Sequence, residues 1–247
     1  MITEYLLPDS AEKAVAELAP GGAVMGGGTT VMPAVHAGAL DAERVVGLAR
    51  AGLAGIERSG GRTRIGAMTP LAAVAALDGV PALAEAAQAV GGPALRNMAT
   101  IGGNLLAGAP YGDVGVALLA LGAEVELSGR TIPLDDLWSS LRPGEEIILG
   151  VAFDDDHGSV FLRWARRAAN SPAVVCVAVS GGRVALGGVA AHPVRSPAAE
   201  AASDPAAAGA AAAEEVDPPT DAIASAWYRK RMTELFVRRA LEKSHAV

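Results

Sequence analysis

The chain has 247 residues, of which 51% are apolar, 19% charged and 4% aromatic, and its formal net charge is −7. That length and apolar share allow one large domain or two small ones around a sizeable core, and they exclude a disordered chain. The acidic balance and the scarcity of aromatics argue against nucleic acid, anionic membranes and stacked sugars as partners.

In chain order, Met1–Pro8 carries no basic leader with an apolar core, and no unbroken apolar span of ~20 residues follows, so a cytoplasmic protein is expected. Pro8-Asp9-Ser10-Ala11-Glu12 reads as a helix start with Asp9 as cap, and the helix Ala11–Leu18 stops at Pro20-Gly21-Gly22. A strand, Ala23–Met25, then enters Gly26-Gly27-Gly28-Thr29-Thr30-Val31-Met32-Pro33. Backbone N–H groups in such a loop point outward toward an anion, and two threonine hydroxyls can add to them. A simple turn is the alternative. No Gly-Lys-Ser/Thr follows, and neither a dinucleotide fingerprint nor a regular βαβ repeat is present.

Arg44–Leu48 reads as a strand, and Leu53–Glu57 with Thr63–Met68 as a hairpin around Gly60-Gly61. Helices run from Pro70 through Leu77 and from Pro81 through Val90, until Gly91-Gly92-Pro93 breaks the second. The next stretch, Ala99-Thr100-Ile101-Gly102-Gly103-Asn104-Leu105-Leu106, is the second glycine-rich segment. Its adjacent glycines read either as a backbone turn that approaches a polar ligand or as a plain hairpin turn. Asp113 reads as the cap of an apolar helix ending at Leu121.

Glu124–Leu127 and Arg130–Pro133 form another hairpin, and Glu145-Glu146 reads as a solvated turn. Strand Glu146–Phe153 ends in the acidic loop Asp154–His157, which is the preferred domain boundary and lacks calcium-site spacing. Three antiparallel strands follow: Ser159–Arg166, Val174–Ser180 and Arg183–Val189, the last continuing toward Arg195. Cys176, the only cysteine, lies in the second of these and reads as a small buried hydrophobe. One cysteine excludes an intrachain disulfide framework and all-cysteine zinc or iron–sulfur sites, and the four histidines lack metal-ligand spacing. Helices Pro197–Ala202 and Pro205–Val216 come next, and a last amphipathic helix from Ser225 to Leu241 suits docking on a sheet.

The sequence offers no nucleophile elbow and no paired carboxylates for acid–base work. It offers two glycine-rich segments with few titratable groups nearby, which suits a protein whose chemistry belongs to a phosphate-containing cofactor. Gly26–Pro33 and Thr100-Ile101-Gly102-Gly103-Asn104 … Pro110-Tyr111-Gly112-Asp113 together resemble the FAD-binding subunits of molybdenum hydroxylases. Further pieces agree in order and spacing: Leu118–Val125, Glu145–Ile148, Phe161-Leu162-Arg163, Val184–Val189 and Trp227-Tyr228-Arg229.

The resemblance implies an α+β chain. A two-lobed FAD-binding fold of the vanillyl-alcohol oxidase type would occupy 1–154, with lobes of about 1–52 and 53–154. A C-terminal antiparallel sheet with helices would occupy 155–247. It implies that Val24, Met25, Gly26, Gly27, Gly28, Thr29, Thr30 and Val31 supply main-chain donors to the FAD pyrophosphate. Thr100, Ile101, Gly102, Gly103 and Asn104 would form a second cradle, and Asp113 would hydrogen-bond the ribityl chain or nearby polar groups. Ile148 and Arg163 would lie near the isoalloxazine, where the arginine charge would favour the reduced cofactor. Val90 would flank the flavin where some relatives carry an aromatic residue. The implied function is electron transfer within a hetero-oligomer. A molybdenum-cofactor subunit would oxidise the substrate, a [2Fe-2S] subunit would relay electrons, and FAD here would pass them to NAD, a quinone, a carrier or oxygen. No catalytic side chain and no metal ligand is expected on this chain. Two other readings are a stand-alone FAD oxidoreductase of the same superfamily and a flavin-free scaffold subunit.

Overall fold

The structure is a computed structural model that describes residues 2–18, 21–167 and 171–246. It opens with β1 (Glu4–Leu6), α1 (Ala11–Ala16), β2 (Ala23–Met25), α2 (Val31–His36) and β3 (Arg44–Gly47). These strands make a parallel sheet in the order β1-β3-β2. β1 is too short to read from the sequence, and it is held in part by Glu4, which pairs with Arg44 at 2.6 Å. The α1 cap is Ser10, whose hydroxyl accepts the Lys13 N–H at 3.2 Å. Asp9, the expected cap, pairs with the Lys13 ammonium instead. Pro20, the expected stop, lies outside the described residues.

β4 (Ile56–Ser59) and β5 (Arg62–Gly66) form the expected hairpin, followed by α3 (Leu71–Val74), α4 (Pro81–Ala89), α5 (Pro93–Met98), α6 (Ile101–Leu105) and α7 (Asp113–Ala120). After these come β6 (Glu124–Leu127), β7 (Arg130–Pro133), α8 (Leu137–Ser140) and β8 (Ile148–Asp154). The strands assemble as an antiparallel sheet in the order β4-β5-β8-β6-β7. Where the sequence suggests a Gly-Gly turn, the chain is helical. Thr100 caps α6, its hydroxyl accepting the Gly103 N–H at 3.2 Å. Ile101 and Leu105, one turn apart, are both buried. That burial and the cap override the poor helix propensity of two glycines. α7 is capped by Gly112 in the left-handed region, and Asp113 is its first helical residue rather than its cap.

The third sheet contains β9 (Val160–Ala165), β10 (Ala173–Ser180), β11 (Arg183–Gly187) and β12 (Val194–Arg195), in the order β12-β11-β10-β9. It has four strands where three were expected, because the chain turns away at Gly188. There φ is +80° and a Cβ would lie 2.5 Å from the Val174 carbonyl. α9 (Pro197–Glu200), α10 (Pro205–Glu215) and α11 (Ala226–Ser244) complete the chain. Every residue of β10 is buried, since both faces of this sheet are covered. Cys176, Ala178 and Ala185 join the core of the second sheet and α7, while Val175, Val177 and Leu186 pack under α10 and α11. Apolar packing is therefore continuous across the acidic loop at 154–157. Among the described residues no helix is long and apolar enough to cross a membrane.

A third cluster joins the first sheet to the second. Val46, Leu48 and Ala51 bury with Ile147, and Met68 and Leu149 pack against them. This contact sets the two sheets side by side and leaves a cleft between them.

Candidate functional site

The cleft encloses about 370 Å³, in the range of small-molecule sites. Gly22, Val24, Gly26 and Leu48 line it from the first sheet. Ala67, Met68, Thr100, Gly102, Gly103 and Leu106 face them, and Leu141, Pro143, Gly144, Glu146, Ile147 and Ile148 form the third wall. Five of the sequence-selected positions outside β2 thus come together here: Gly26, Thr100, Gly102, Gly103 and Ile148, joined by Val24 at the strand end.

The two glycine-rich segments touch directly. A Cβ on Gly26 would lie 2.7 Å from Thr100 Oγ1, and one on Gly27 would lie 1.6 Å from the Met98 carbonyl oxygen. Only glycine fits where one backbone crosses another so closely. Gly28 has φ +73°, which turns the chain into α2. Met25 lies beneath this turn, with its sulfur facing Gly28. Among the described residues, none of the N–H groups from Gly26 to Val31 has an acceptor, although Gly28 and Thr30 carbonyls accept from Met32 and Ala34. Thr29 is half-buried and Thr30 exposed, and the Thr30 hydroxyl makes no capping bond to α2. A run of free donors in a tight loop is an anion-binding concavity.

The second segment is different. Ile101 donates to the Thr69 carbonyl at 3.0 Å, Gly102 to Ala67 at 2.9 Å, Gly103 to Thr100 Oγ1 at 3.2 Å and Asn104 to the Thr100 carbonyl at 2.9 Å. Its main-chain donors from Ile101 to Asn104 are taken within the fold, so its backbone N–H groups there are not open to a ligand. Toward the cleft it presents Thr100, Gly102 and Gly103, with Asn104 behind them and not part of the lining. Asn104 is 8% exposed and its Oδ1 has no hydrogen-bond partner. A buried amide oxygen left unpaired is costly, and a bound donor would relieve it. Ile101 points into the core.

Three further selected residues stand apart from the cleft lining. Asp113, at the start of α7, meets Arg163 of β9, with Nε to Oδ2 at 2.9 Å. The other carboxylate oxygen faces the Cys176 thiol at 3.7 Å, and Arg163 Nη2 donates to the Ser171 carbonyl. Burial pushes the Asp113 carboxyl above its ordinary value, against the pull of Arg163, and pushes the Cys176 thiol up as well. Arg163 is thus ion-paired with Asp113. Val90 ends α4, packs on the main core, and its carbonyl accepts from Arg96 at 3.1 Å.

Sequence reasoning missed Glu146. Read as part of a solvated turn, its side chain is 3% exposed and lines the cleft. Arg130 grips it through Nε at 2.9 Å and Nη2 at 3.1 Å, and Arg142 through Nη2 at 2.6 Å and its backbone N–H at 3.2 Å. These arginines, Arg130 first, hold the carboxyl down to about 2. Glu146 is the only titratable cleft-lining residue among the described ones, and it is fully engaged.

Residues 1–153 match the family described as the FAD binding domain in molybdopterin dehydrogenase. The chain is 31% identical to the 6-hydroxypseudooxynicotine dehydrogenase complex subunit alpha of Paenarthrobacter nicotinovorans, over 98% of this chain and 94% of that one. It is 29% identical to the carbon monoxide dehydrogenase medium chain of Afipia carboxidovorans, over 98% and 96%. Its fold superposes on a chain of carbon monoxide dehydrogenase from Hydrogenophaga pseudoflava with a TM-score of 0.91 and 28% identity, covering 100% of this chain and 98% of that one. The family match over residues 1–153, together with the 31% identity to a relative aligned over 98% of this chain, shows that the chain belongs to the family of FAD-binding domains of molybdopterin dehydrogenases.

Proposed function

We propose that this chain is the FAD-carrying electron-transfer subunit of a molybdenum hydroxylase complex. A molybdenum-cofactor subunit oxidises the substrate, a [2Fe-2S] subunit relays the electrons, and this subunit passes them to NAD, a quinone, a carrier or oxygen. Its fold is the two-lobed vanillyl-alcohol oxidase type, with lobes 1–52 and 53–154 and a C-terminal domain 155–247. The three separate sheets and the family match to residues 1–153 support that division.

The observation that carries the reading is the run of free N–H groups from Gly26 to Val31 beside the cleft. The residues present fit FAD. Gly26 and Gly27 have no room for a Cβ, so backbone alone faces the ligand there, and the buried Asn104 oxygen wants a donor. Gly26–Val31 would bind the pyrophosphate, while Gly102, Gly103 and Asn104 close the opposite side. Ile148 and Val24 provide apolar walls that exclude water. Asp113 and Arg163 fix one another between α7 and the third sheet, and Val90 ends α4; these three act at the flavin end in this reading. FAD supplies the capacity to take up and release electrons singly or in pairs. The cleft offers no acid or base to compete with that role, because Glu146 is held ionised between two arginines.

Reconstituting the full chain with FAD and recording its visible spectrum tests the reading. Bound flavin bands and altered flavin fluorescence are expected, with no turnover until partner subunits are added. A chain that stays colourless overturns it in favour of a scaffold, and turnover without partners overturns it in favour of a stand-alone oxidoreductase.

A further inference from the structure

Glu146 sits where three parts of the cleft meet. Between α8 and β8 the chain leaves the second sheet, and Leu141, Pro143 and Gly144 of this excursion form one wall of the cavity. Both ends of the excursion are tied through one carboxylate. Arg130 Nη2 donates to the Ser140 carbonyl at 2.6 Å while Arg130 also grips Glu146. Arg142 reaches Glu146 through both its guanidinium and its main chain, and the Glu146 N–H returns to the Arg142 carbonyl at 3.1 Å. The next residue, Ile147, plugs into the core of the first sheet. The residue after it, Ile148, lines the cleft as β8 begins.

We propose that Glu146 is a positioning residue for the cofactor: its carboxylate, knotted to Arg130 and Arg142, fixes the 141–148 wall at the spacing from Gly26 that bound FAD requires. A charged knot is an expensive way to hold a loop, since a buried ion pair recovers little stability over apolar packing. What the knot offers is direction, as a bidentate arginine and a main-chain donor admit one geometry. Glu146 does not touch the reacting atoms and acts through the wall it holds. Arg130 has no other carboxylate partner among the described residues, so neutralising Glu146 leaves that guanidinium unpaired at the cleft.

The inference rests on FAD occupying this cleft, and its test separates the two ideas. The full chain, Glu146→Gln, Glu146→Ala and Arg142→Ala are titrated with FAD by flavin fluorescence, at a temperature where circular dichroism shows each folded. Loss of hydrogen bonds to a charged group predicts that Glu146→Gln raises the FAD Kd about tenfold or more. Arg142→Ala, at a residue with an exposed guanidinium, is expected to do the same in part, and the double variant to do no worse than Glu146→Gln alone. A changed bound-flavin spectrum in Glu146→Gln is the readout that a purely structural role would not move. If Glu146→Ala does not fold, Glu146→Gln and Arg142→Ala decide. Wild-type Kd and spectrum in a folded Glu146→Gln overturn this inference alone. A wild-type chain that takes up no FAD overturns the functional reading and this inference with it.

Discussion

Gly26–Val31 and Thr100–Asn104 touch across the mouth of the cleft, yet their backbones are in opposite hydrogen-bonding states. In the first segment the N–H groups have no acceptor among the described residues. In the second, every N–H from Ile101 to Asn104 is taken by Thr69, Ala67 or Thr100. Both are glycine-rich, so composition alone makes them look equivalent. The difference is that Thr100 caps a helix whose Ile101 and Leu105 anchor in the core, while no side chain caps the helix that the turn at Gly28 enters. In the proposed reading the first segment binds and the second supports it. On that reading the second contributes the Asn104 side chain rather than backbone, because that amide oxygen is buried without a partner.

The crossing of these two segments is the first thing to break. Gly27→Ala would place a methyl 1.6 Å from the Met98 carbonyl oxygen, an overlap that only backbone movement can relieve. We expect a destabilisation of at least about 3 kcal/mol, the upper end for overpacking, together with loss of bound flavin. Thermal unfolding followed beside flavin absorbance checks both. Gly28→Ala is the matched control, since its Cβ would meet only Met25 and Met32 at ordinary distances. Its penalty is the left-handed backbone, about 1 kcal/mol. Equal effects at both glycines would mean that the crossing is not what joins the segments.

Asn104→Leu sharpens the contrast in the other direction. Its Oδ1 is buried without a partner, so an apolar side chain of similar size removes an unmet desolvation penalty. The chain without FAD is expected to melt at the same temperature or higher. With FAD, the Kd is expected to rise about tenfold, as one hydrogen bond is lost. A variant that destabilises the FAD-free chain by more than about 2 kcal/mol would show that Asn104 serves the fold, contrary to the orphaned oxygen.

Much of this was legible in the sequence. The donor loop could be read because a strand entering three glycines and two threonines has few ways to satisfy its backbone. The α6 helix could not, since Gly102-Gly103 reads locally as a turn and only the burial of Ile101 against distant residues makes it helical. Glu146 read as solvated because its neighbour Glu145 is, and its fate depends on Arg130, sixteen positions away on the far side of α8. Asp113 and Arg163 are fifty positions apart, and no local pattern reveals that each neutralises the other. Helix ends, capped by near neighbours, were misplaced by a single residue at Asp9 and Asp113.

The two carboxylates also respond oppositely to acid. Glu146 is held down to about 2 against an ordinary value near 4.5. Its contribution to stability is present above pH ~4.5 and is lost as the pH falls toward 2. Asp113 is pushed up by burial, so the folded chain keeps its proton to higher pH than the unfolded chain does. Its ionisation therefore weakens the fold as pH rises. Glu146→Gln is expected to flatten the acid limb of a stability–pH curve, measured by denaturant unfolding at stepped pH, and Asp113→Asn to leave that limb in place.

The smallest effects should be the most discriminating, because they compare like with like. Thr30 and Thr100 each stand at a helix N-cap, one in each segment. The Thr100 hydroxyl accepts the Gly103 N–H, whereas the Thr30 hydroxyl makes no cap bond and is exposed. Thr100→Val should destabilise the FAD-free chain by about 1 kcal/mol, with Thr100→Ser restoring most of it. Thr30→Val should leave that stability within about 0.5 kcal/mol, as surface changes away from special contacts do. With FAD the order reverses if the first segment is the binder: Thr30→Val weakens affinity by losing a donor beside the free N–H groups, and Thr100→Ser leaves it unchanged. Stability and affinity measured on the same three variants give six numbers, and the two segments must rank in opposite order in the two sets. A Thr30→Val that loses stability but not affinity would reverse the assignment of the two segments, making the glycine loop the scaffold and α6 the binder.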